Sequence, residues 1–181
     1  RRYILETELK LIAGVMSQPW RVSPGMTKGD VVFGKPRQDA EASRTLKDLE
    51  GKMAAIGRSQ AVIEFNLDGT IIDANENFQN AMGYRIDDIR GTHHRQFMYP
   101  ADAASPDYAA FWRDLNAGQF KAGKFRRQAN GGREIWLQAS YNPVFGPDGR
   151  PLKVIKLAVD ITEAELAAAR SEADRLAAEE A

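Results

Sequence analysis

Alternating apolar and polar residues mark the first strand of the chain. In AVIEFN, at 61–66, Ile63 and Phe65 alternate with Val62 and Glu64. A period of two is typical of a strand with one buried face. Asp68-Gly69 follows and favours a tight turn into the next strand. The predicted strands are 61–66, 70–75, 119–129, 133–144 and 151–161.

Short helices are predicted between the second and third strands. Gly83 ends the first of them, and Ser105 with Pro106 favours the start of the last. Their predicted ranges are 76–82, 85–90 and 106–117. Two strands, several helices and three further strands predict an α+β domain. We expect a five-stranded antiparallel sheet with the short helices on one face.

Two longer helices are predicted to flank this domain. The helix at 39–57 has a 3-4-3 apolar spacing at Leu46, Leu49, Met53 and Ile56. The chain from 163 onward has the same spacing at Leu166, Ala169, Ala173 and Leu176. The first helix either packs on its own domain or pairs with a second copy. The second has too small an apolar seam to be stable alone, which favours pairing. We expect a homodimer formed through these terminal helices.

The first part of the chain is harder to assign. Apolar spacing predicts a helix at 3–16, and glycines and prolines predict an irregular arm at 17–38. Within the arm, Val31–Phe33 is compatible with a short strand. Trp20 is compatible with an anchor on a neighbouring surface. Because the sequence begins with Arg1, we expect a piece of a longer protein.

Composition excludes several kinds of function. The 181 residues contain no cysteine, which rules out disulfides, cysteine–zinc sites and thiol-attached cofactors. The formal net charge is zero, so the composition offers no case for nucleic acid or a membrane surface. No apolar run approaches the roughly 18 residues that span a bilayer. These features predict a cytoplasmic location with no membrane contact by this part of the protein.

The order of elements and several motifs together resemble a PAS domain. The motifs are NLDGTIIDANENFQNAMGY, GTHHRQF, FWRDLNAGQFKAGKFRR, REIWLQASYNPVFGPDG and AVDIT. They are similar to the PAS modules of bacterial methyl-accepting chemotaxis proteins and aerotaxis-type transducers. The resemblance covers 52–162. It leaves 1–51 unassigned and makes 163–181 a signalling helix.

The resemblance implies a sensory input module of a signal-transduction protein. Such a module binds a small ligand, a gas or a redox cofactor between sheet and helices. It relays a change in shape to terminal helices and to a signalling domain further along the same chain. We expect no enzyme activity, since no carboxylate pair, nucleophile–base pair or phosphate loop is evident. The alternative is a ligand-free PAS-like module that serves dimerisation.

His93 and His94 are the only histidines, and together with Phe97 they are candidates for binding a cofactor. A neutral imidazole in an apolar pocket is a good axial ligand, so haem b bound through His94 is the first cofactor candidate. FAD is the second. The FAD-binding aerotaxis transducers resemble this chain at His94, Pro100 and Asp102. A capping or surface role for either histidine is the ordinary alternative, and two adjacent histidines make a poor zinc site.

Two tryptophans and two amides are further candidates for the pocket. Trp112 is predicted on a helix, where it either lines a flat ligand or packs in the core. On the strand 133–144, Trp136, Gln138 and Asn142 share one face, opposite the face of Ile135 and Leu137. The sequence leaves open which face lines the pocket.

The end of the last strand is the expected exit for a signal. Thr162 is a candidate N-cap of the tail helix, with Glu165 completing a capping box. Asp160 is a candidate partner for a basic residue of the sheet. A basic stripe at Lys121, Lys124, Arg126 and Arg127 is either a solvated edge or a docking surface for an acidic partner.

Overall fold

The computed structural model describes residues 36–179. The predicted helix at 3–16, the strand at Val31–Phe33 and Trp20 lie outside the described residues. The last three residues of the predicted arm, 36–38, belong to a helix in the structure. That helix, α1, spans Pro36–Ser59 and runs through the boundary that was predicted between 51 and 52.

Five strands form one antiparallel sheet, as predicted. They are β1 (Ala61–Phe65), β2 (Ile71–Ala74), β3 (Lys121–Gln128), β4 (Glu134–Phe145) and β5 (Pro151–Asp160). Their spatial order is β2-β1-β5-β4-β3, so the last strand of the chain lies at the centre and joins β1 to β4.

The helices between β2 and β3 are short and pack on one face of the sheet, so the α+β prediction is confirmed. The 3-10 helix His94–Phe97 also lies between β2 and β3, and a second one, Asn130–Gly132, lies in the turn between β3 and β4. The α-helices after α1 are α2 (Glu76–Met82), α3 (Ile86–Ile89), α4 (Pro100–Ala103), α5 (Pro106–Asn116) and α6 (Thr162–Glu179). No helix within 36–179 is long and apolar enough to cross a bilayer.

The core lies between the sheet and the short helices. Ile135, Leu137, Ala139 and Tyr141 of β4 are buried at alternate positions. Phe65 of β1 is also fully buried. Burying large apolar side chains of this kind contributes about 1.5–3 kcal/mol each, so this face determines how the sheet is oriented. The opposite face of the sheet is half-buried or exposed.

Asn75 fastens three segments together. Its side chain accepts from Phe78 N over 3.0 Å, so Asn75 is the N-cap of α2. The same carboxamide oxygen accepts from Val62 N, and the amide nitrogen donates to Gly57 O and Gln60 O. One side chain therefore links the end of α1, β1 and the start of α2.

Gly69 is expected to resist replacement by alanine. Its φ of +86° is left-handed, and an added Cβ would lie 2.8 Å from His93 Nε2. The backbone conformation alone costs an L-residue roughly 1–2 kcal/mol, and the contact with His93 adds to that cost. We expect Gly69→Ala to lower the free energy of unfolding by about 2 kcal/mol or more in urea denaturation.

Gly91→Ala is the matched control for Gly69→Ala. Gly91 has a similar φ of +78°, but an added Cβ would meet nothing within 4 Å. Gly91→Ala therefore has the conformational cost of a left-handed alanine but lacks the contact with His93 that Gly69→Ala creates. Equal losses in the two variants would show that His93 does not pack against Gly69.

Candidate functional site

His94 lies fully buried between the sheet and the helices. It begins the 3-10 helix, and its backbone nitrogen donates to Gly69 O over 2.9 Å. Its ring Nδ1 lies 2.9 Å from Tyr108 Oη, and Nε2 lies 3.1 Å from Tyr141 Oη. Both ring nitrogens are therefore hydrogen-bonded to tyrosines, one on α5 and the other on β4.

Two basic side chains adjoin Tyr141 inside the protein. Arg127 Nη2 donates to Tyr141 Oη over 3.3 Å, and Lys156 Nζ lies 4.8 Å from the centre of the Tyr141 ring. Lys156 is paired with Tyr141 across β4 and β5. Arg127 is 7% exposed and Lys156 only 2%. We refer to His94, Tyr108, Arg127, Tyr141 and Lys156 as the buried polar cluster.

Burial and charge determine the protonation of this cluster. Burial first, and then the charges of Arg127 and Lys156, holds the pKa of His94 well below its ordinary value, so the imidazole is neutral. Burial also lowers the pKa of Lys156. For Tyr141, burial alone would raise the pKa, but Lys156 and Arg127 outweigh it and the pKa is lowered.

The hydrogen bonds through His94 have a preferred direction. A neutral imidazole donates from one nitrogen and accepts at the other. Tyr141 Oη already accepts from Arg127 Nη2, which leaves the Tyr141 hydroxyl proton to be donated to His94. The lowered pKa of Tyr141 and the raised pKa of Tyr108 agree with that direction. We therefore assign Tyr141 as donor to His94 Nε2, and His94 Nδ1 as donor to Tyr108. The chain of hydrogen bonds runs from the sheet to α5.

The sequence interpretation did not include Tyr108, Tyr141 or Lys156 among the site residues, and it placed Arg127 in a surface stripe. A usable indication was present in β5, where Lys156 occupies an inward position between Val154 and Ala158. A lysine in a buried register is rare unless it has a partner. That position pointed to a polar site inside the domain.

The other predicted pocket residues on the helical side are divided between two environments. The ring centres of Trp112 and Phe97 lie 5.6 and 6.2 Å from that of His94, so these three form one group. His93 is half-buried, and its Nδ1 accepts from Arg95 N over 3.1 Å. It borders a separate cavity of about 400 Å³ that Trp112 also lines.

Trp136, Gln138 and Asn142 lie on the outer face of the sheet. Their neighbours Ile135 and Leu137 take the inward positions. Gln138 is exposed, and Trp136 Nε1 donates to Glu134 on the same strand. The expectation that these three residues line the pocket is corrected by this register, because only the more apolar face can be covered by the helices without leaving polar groups unpaired.

His94 is not free to ligate haem in this arrangement. Axial ligation needs an available imidazole nitrogen, and both nitrogens of His94 are held by tyrosines. Phe65 and Trp112 also pack against the imidazole with ring centres 5.3 and 5.6 Å away. The residues present do not fit a haem on His94.

The FAD candidate residues do not meet at one place. Pro100 and Asp102 are exposed on α4, whereas His94 is buried among aromatic side chains. These three residues therefore do not form a joint flavin site in this structure.

The junction between β5 and α6 is built from three side-chain contacts. Asp160 Oδ1 accepts from the backbone and the hydroxyl of Thr162, over 2.9 and 2.5 Å. Thr162 Oγ1 accepts from Trp136 N over 3.0 Å. Glu165 forms an ion pair with Lys124 of β3, with 2.5 Å between Oε1 and Nζ. The sheet is thus joined to the first turn of α6 from three of its strands, β3, β4 and β5.

This junction differs in detail from the one expected. Asp160, rather than Thr162, accepts from the first backbone amide of α6, and it binds Thr162 rather than a basic residue. The predicted capping box does not form, because Glu165 bonds to Lys124. The physical reason is competition, since the edge strand offers Glu165 a charged partner within reach.

The basic stripe is divided by its surroundings. Lys121 pairs with Asp114 at 2.7 Å, Lys124 with Glu165 at 2.5 Å, and Arg126 with Glu134 at 3.7 Å. Arg127 points into the core. The four side chains therefore do not form one free docking surface.

Comparison with known proteins identifies the class. Residues 71–158 match the family described as the PAS fold. The biofilm dispersion protein BdlA of Pseudomonas aeruginosa is 44% identical over 116 residues, which is 64% of this chain and 28% of that protein. The bacterioopsin transcriptional activator of Halobacterium salinarum is 25% identical over 154 residues, which is 77% of this chain and 23% of that protein. The chain spans about a quarter of the length of these relatives.

Solved structures agree with this assignment. The PAS domain of a protein from Colwellia psychrerythraea superposes with a TM-score of 0.56 at 22% identity, covering 64% of this chain and 98% of that chain. The LOV protein of Rhodobacter sphaeroides superposes with a TM-score of 0.53 at 19% identity, covering 64% of this chain and 68% of that chain. The sheet and its short helices are a PAS domain, and the recognition from sequence motifs is confirmed.

Proposed function

We propose that this PAS domain is the ligand-sensing, non-catalytic input module of a bacterial chemotaxis-type signalling protein in the cytoplasm. A small molecule bound between sheet and helices shifts β4 and β5, and the shift passes into α6 and to a signalling domain beyond it. The 44% identity with the biofilm dispersion protein supports a role in signal transduction.

One observation carries this proposal. β4 and β5 carry two members of the buried polar cluster on their inner face and the α6 junction at their end. Tyr141 and Lys156 face the helices. Trp136 and Asp160 contact Thr162 at the start of α6. A change in the pairing of β4 with β5 therefore reaches both places through the backbone.

Thr162→Val tests the proposed relay. Valine keeps the shape of the side chain but removes the acceptor for Trp136 N and the donor to Asp160. Losing these bonds costs about 1–3 kcal/mol locally, so we expect hydrogen exchange in α6 to accelerate at least about fivefold. Exchange in the centre of β4 should change little.

Thr45→Val is the control for this relay test, because the Thr45 hydroxyl donates only along its own helix, to Glu41 O. It should leave α6 exchange unaltered. If Thr162→Val also left α6 exchange unaltered, β4 and α6 would not be coupled through this hydroxyl and the relay would have to be abandoned.

A ligand-free interaction module is the second candidate function. It is favoured by the aromatic side chains that fill the interior and by the apolar residues that α1 and α6 expose. Leu49 and Leu176 are 53% and 47% exposed.

An absorption spectrum of the full chain tests whether the sensor carries a cofactor, because haem gives a Soret band and FAD gives a flavin band. A colourless sample eliminates both cofactors.

Dimerisation through the terminal helices is the next prediction. Leu49→Glu combined with Leu176→Glu places charges in both apolar seams, so we expect a homodimer to become a monomer in light scattering at tens of micromolar. Leu152→Glu is the control, since Leu152 is 62% exposed on β5 and not on a terminal helix. A monomeric parent protein, or a double variant that stays dimeric, would contradict the prediction.

A further inference from the structure

The buried polar cluster contains two basic side chains and no acidic one. Within the described part of the chain, the buried polar residues are His94, Arg127 and Lys156. His94 is neutral. Burying a cation costs several kcal/mol unless an anion or hydrogen bonds compensate it. Tyr141 supplies a hydrogen-bond acceptor and a ring face, but no acidic side chain is buried beside these bases.

Arg127 has unused hydrogen-bonding capacity. Its Nη1 donates to Arg126 O and its Nη2 to Tyr141 Oη, while its Nε is buried without a partner. The Nε–H and one Nη2–H lie along one edge of a guanidinium. That edge is the geometry that binds a carboxylate through two parallel hydrogen bonds. An unpaired buried donor of this kind is unfavourable, and a bound acceptor would satisfy it.

Arg127 also lines a cavity of about 300 Å³ between α5 and β3. The cavity walls include the rings of Tyr108, Phe111 and Phe125. Its other lining residues are Met98, Asp102, Ser105, Asp107, Lys124 and Arg126. The volume lies at the lower end of the range for small-molecule sites, about 300–1,000 Å³. Two aspartates and three bases also line the cavity, but Lys124 and Arg126 are paired with Glu165 and Glu134. Arg127 is the base with an unpaired donor beside the aromatic walls, which favours a small amphipathic anion as the occupant.

We propose that this cavity binds a small organic carboxylate, with its carboxylate on Arg127 and its apolar body against Phe111 and Phe125. The inference rests on the proposed sensory function and specifies the ligand class. Lys156 contributes long-range positive charge from the inner face of β5. Because Nε is covered in this structure, the guanidinium must turn toward the cavity to bind a carboxylate. That turn loosens the bond from Arg127 to Tyr141, so occupancy alters the contact between β3 and β4.

Calorimetric titration of the full chain with benzoate tests the site, with benzamide as the neutral analogue of the same shape. We expect benzoate to bind at least tenfold more tightly than benzamide. Arg127→Gln should weaken benzoate at least tenfold, because charge-assisted hydrogen bonds are worth about 1.5–3 kcal/mol. Lys156→Met should weaken it less. Circular dichroism without ligand checks that each variant is folded.

Arg90→Gln is the matched control, since Arg90 is exposed, pairs with Asp73 and does not line the cavity. It should leave benzoate affinity within about twofold. Asp107→Asn should tighten binding, because it removes a negative charge from the cavity wall. If Arg127→Gln does not fold, Arg127→Lys replaces it: it keeps the charge, lacks the two-donor edge and should still weaken benzoate several-fold.

The proposal is overturned if benzoate, phenylacetate and hexanoate all fail to bind at millimolar concentration, or if benzamide binds as well as benzoate. It is also overturned if the ultraviolet spectrum shows Tyr141 as a tyrosinate at pH 7, lost in Tyr141→Phe, because the phenolate would then be the counter-ion. Benzoate binding that leaves α6 exchange unaltered would remove the sensory function but keep the site. If no carboxylate binds but Thr162→Val still accelerates hydrogen exchange in α6, the carboxylate site is lost and the sensory relay is kept.

Discussion

Phe65→Ala is expected to lower the free energy of unfolding by about 3–5 kcal/mol, which is a large part of the stability of a domain of this size. Phe65, at the end of β1, is fully buried on the inner face of the sheet. Its ring packs edge-on against His94 and Trp112, at centre distances of 5.3 and 5.8 Å, and parallel to Tyr141 at 6.5 Å. Removing it leaves a cavity beside the buried polar cluster.

Urea denaturation measures this loss, and Phe65→Leu should recover more than half of it because most of the volume returns. Phe120→Ala is the surface control. Phe120 is 68% exposed, so its removal should change the free energy of unfolding by no more than about 0.5 kcal/mol. Similar losses at the two positions would mean that Phe65 does not organise the core.

Stability should fall as the pH is lowered below about 6.5, because His94 is buried in its neutral form. The pKa of His94 in the folded protein lies well below its ordinary value. Below about pH 6.5 the unfolded chain therefore binds a proton at His94 that the folded protein does not bind. Between pH 7.5 and 5.5 this difference removes about 1.4 kcal/mol from the free energy of unfolding, and above pH 7.5 it contributes nothing.

His94→Gln should abolish this part of the pH dependence, although the variant is less stable at every pH because it loses two hydrogen bonds. His93→Gln is the control. The pKa of His93 is also lowered, by burial and by Arg95, but His93 is only half-buried, so its share is smaller. Parallel stability curves for wild type and His94→Gln between pH 7.5 and 5.5 would show that His94 is not held neutral.

Local sequence was sufficient for most of the elements. The left-handed Gly83 ends α2 and the Ser105 side chain caps α5, as predicted, because a missing Cβ and a short hydroxyl act within one turn of the chain. The strand boundaries agree with the structure to within two residues. The motif resemblance to PAS domains also required only the order of residues.

The candidate site depended on contacts that are distant in the chain. His94 meets Tyr141 across 47 residues, and Lys153 of β5 meets Glu64 across 89. Nothing in the neighbourhood of His94 indicates which side chains will hold its two nitrogens. For this reason a haem ligand and a hydrogen-bonded core histidine could not be separated from sequence.

The two faces of β4 show most clearly which features the sequence determines and which only the tertiary structure decides. The alternation in the sequence determined that Trp136, Gln138 and Asn142 lie together, opposite Ile135 and Leu137. Only the tertiary structure decided that the second set faces the helices. The reason is that a strand has two equivalent faces until another layer covers one of them, and burial then selects the face that leaves the fewest polar groups unpaired. Sequence alone thus identified the PAS domain, whereas packing produced its buried polar cluster.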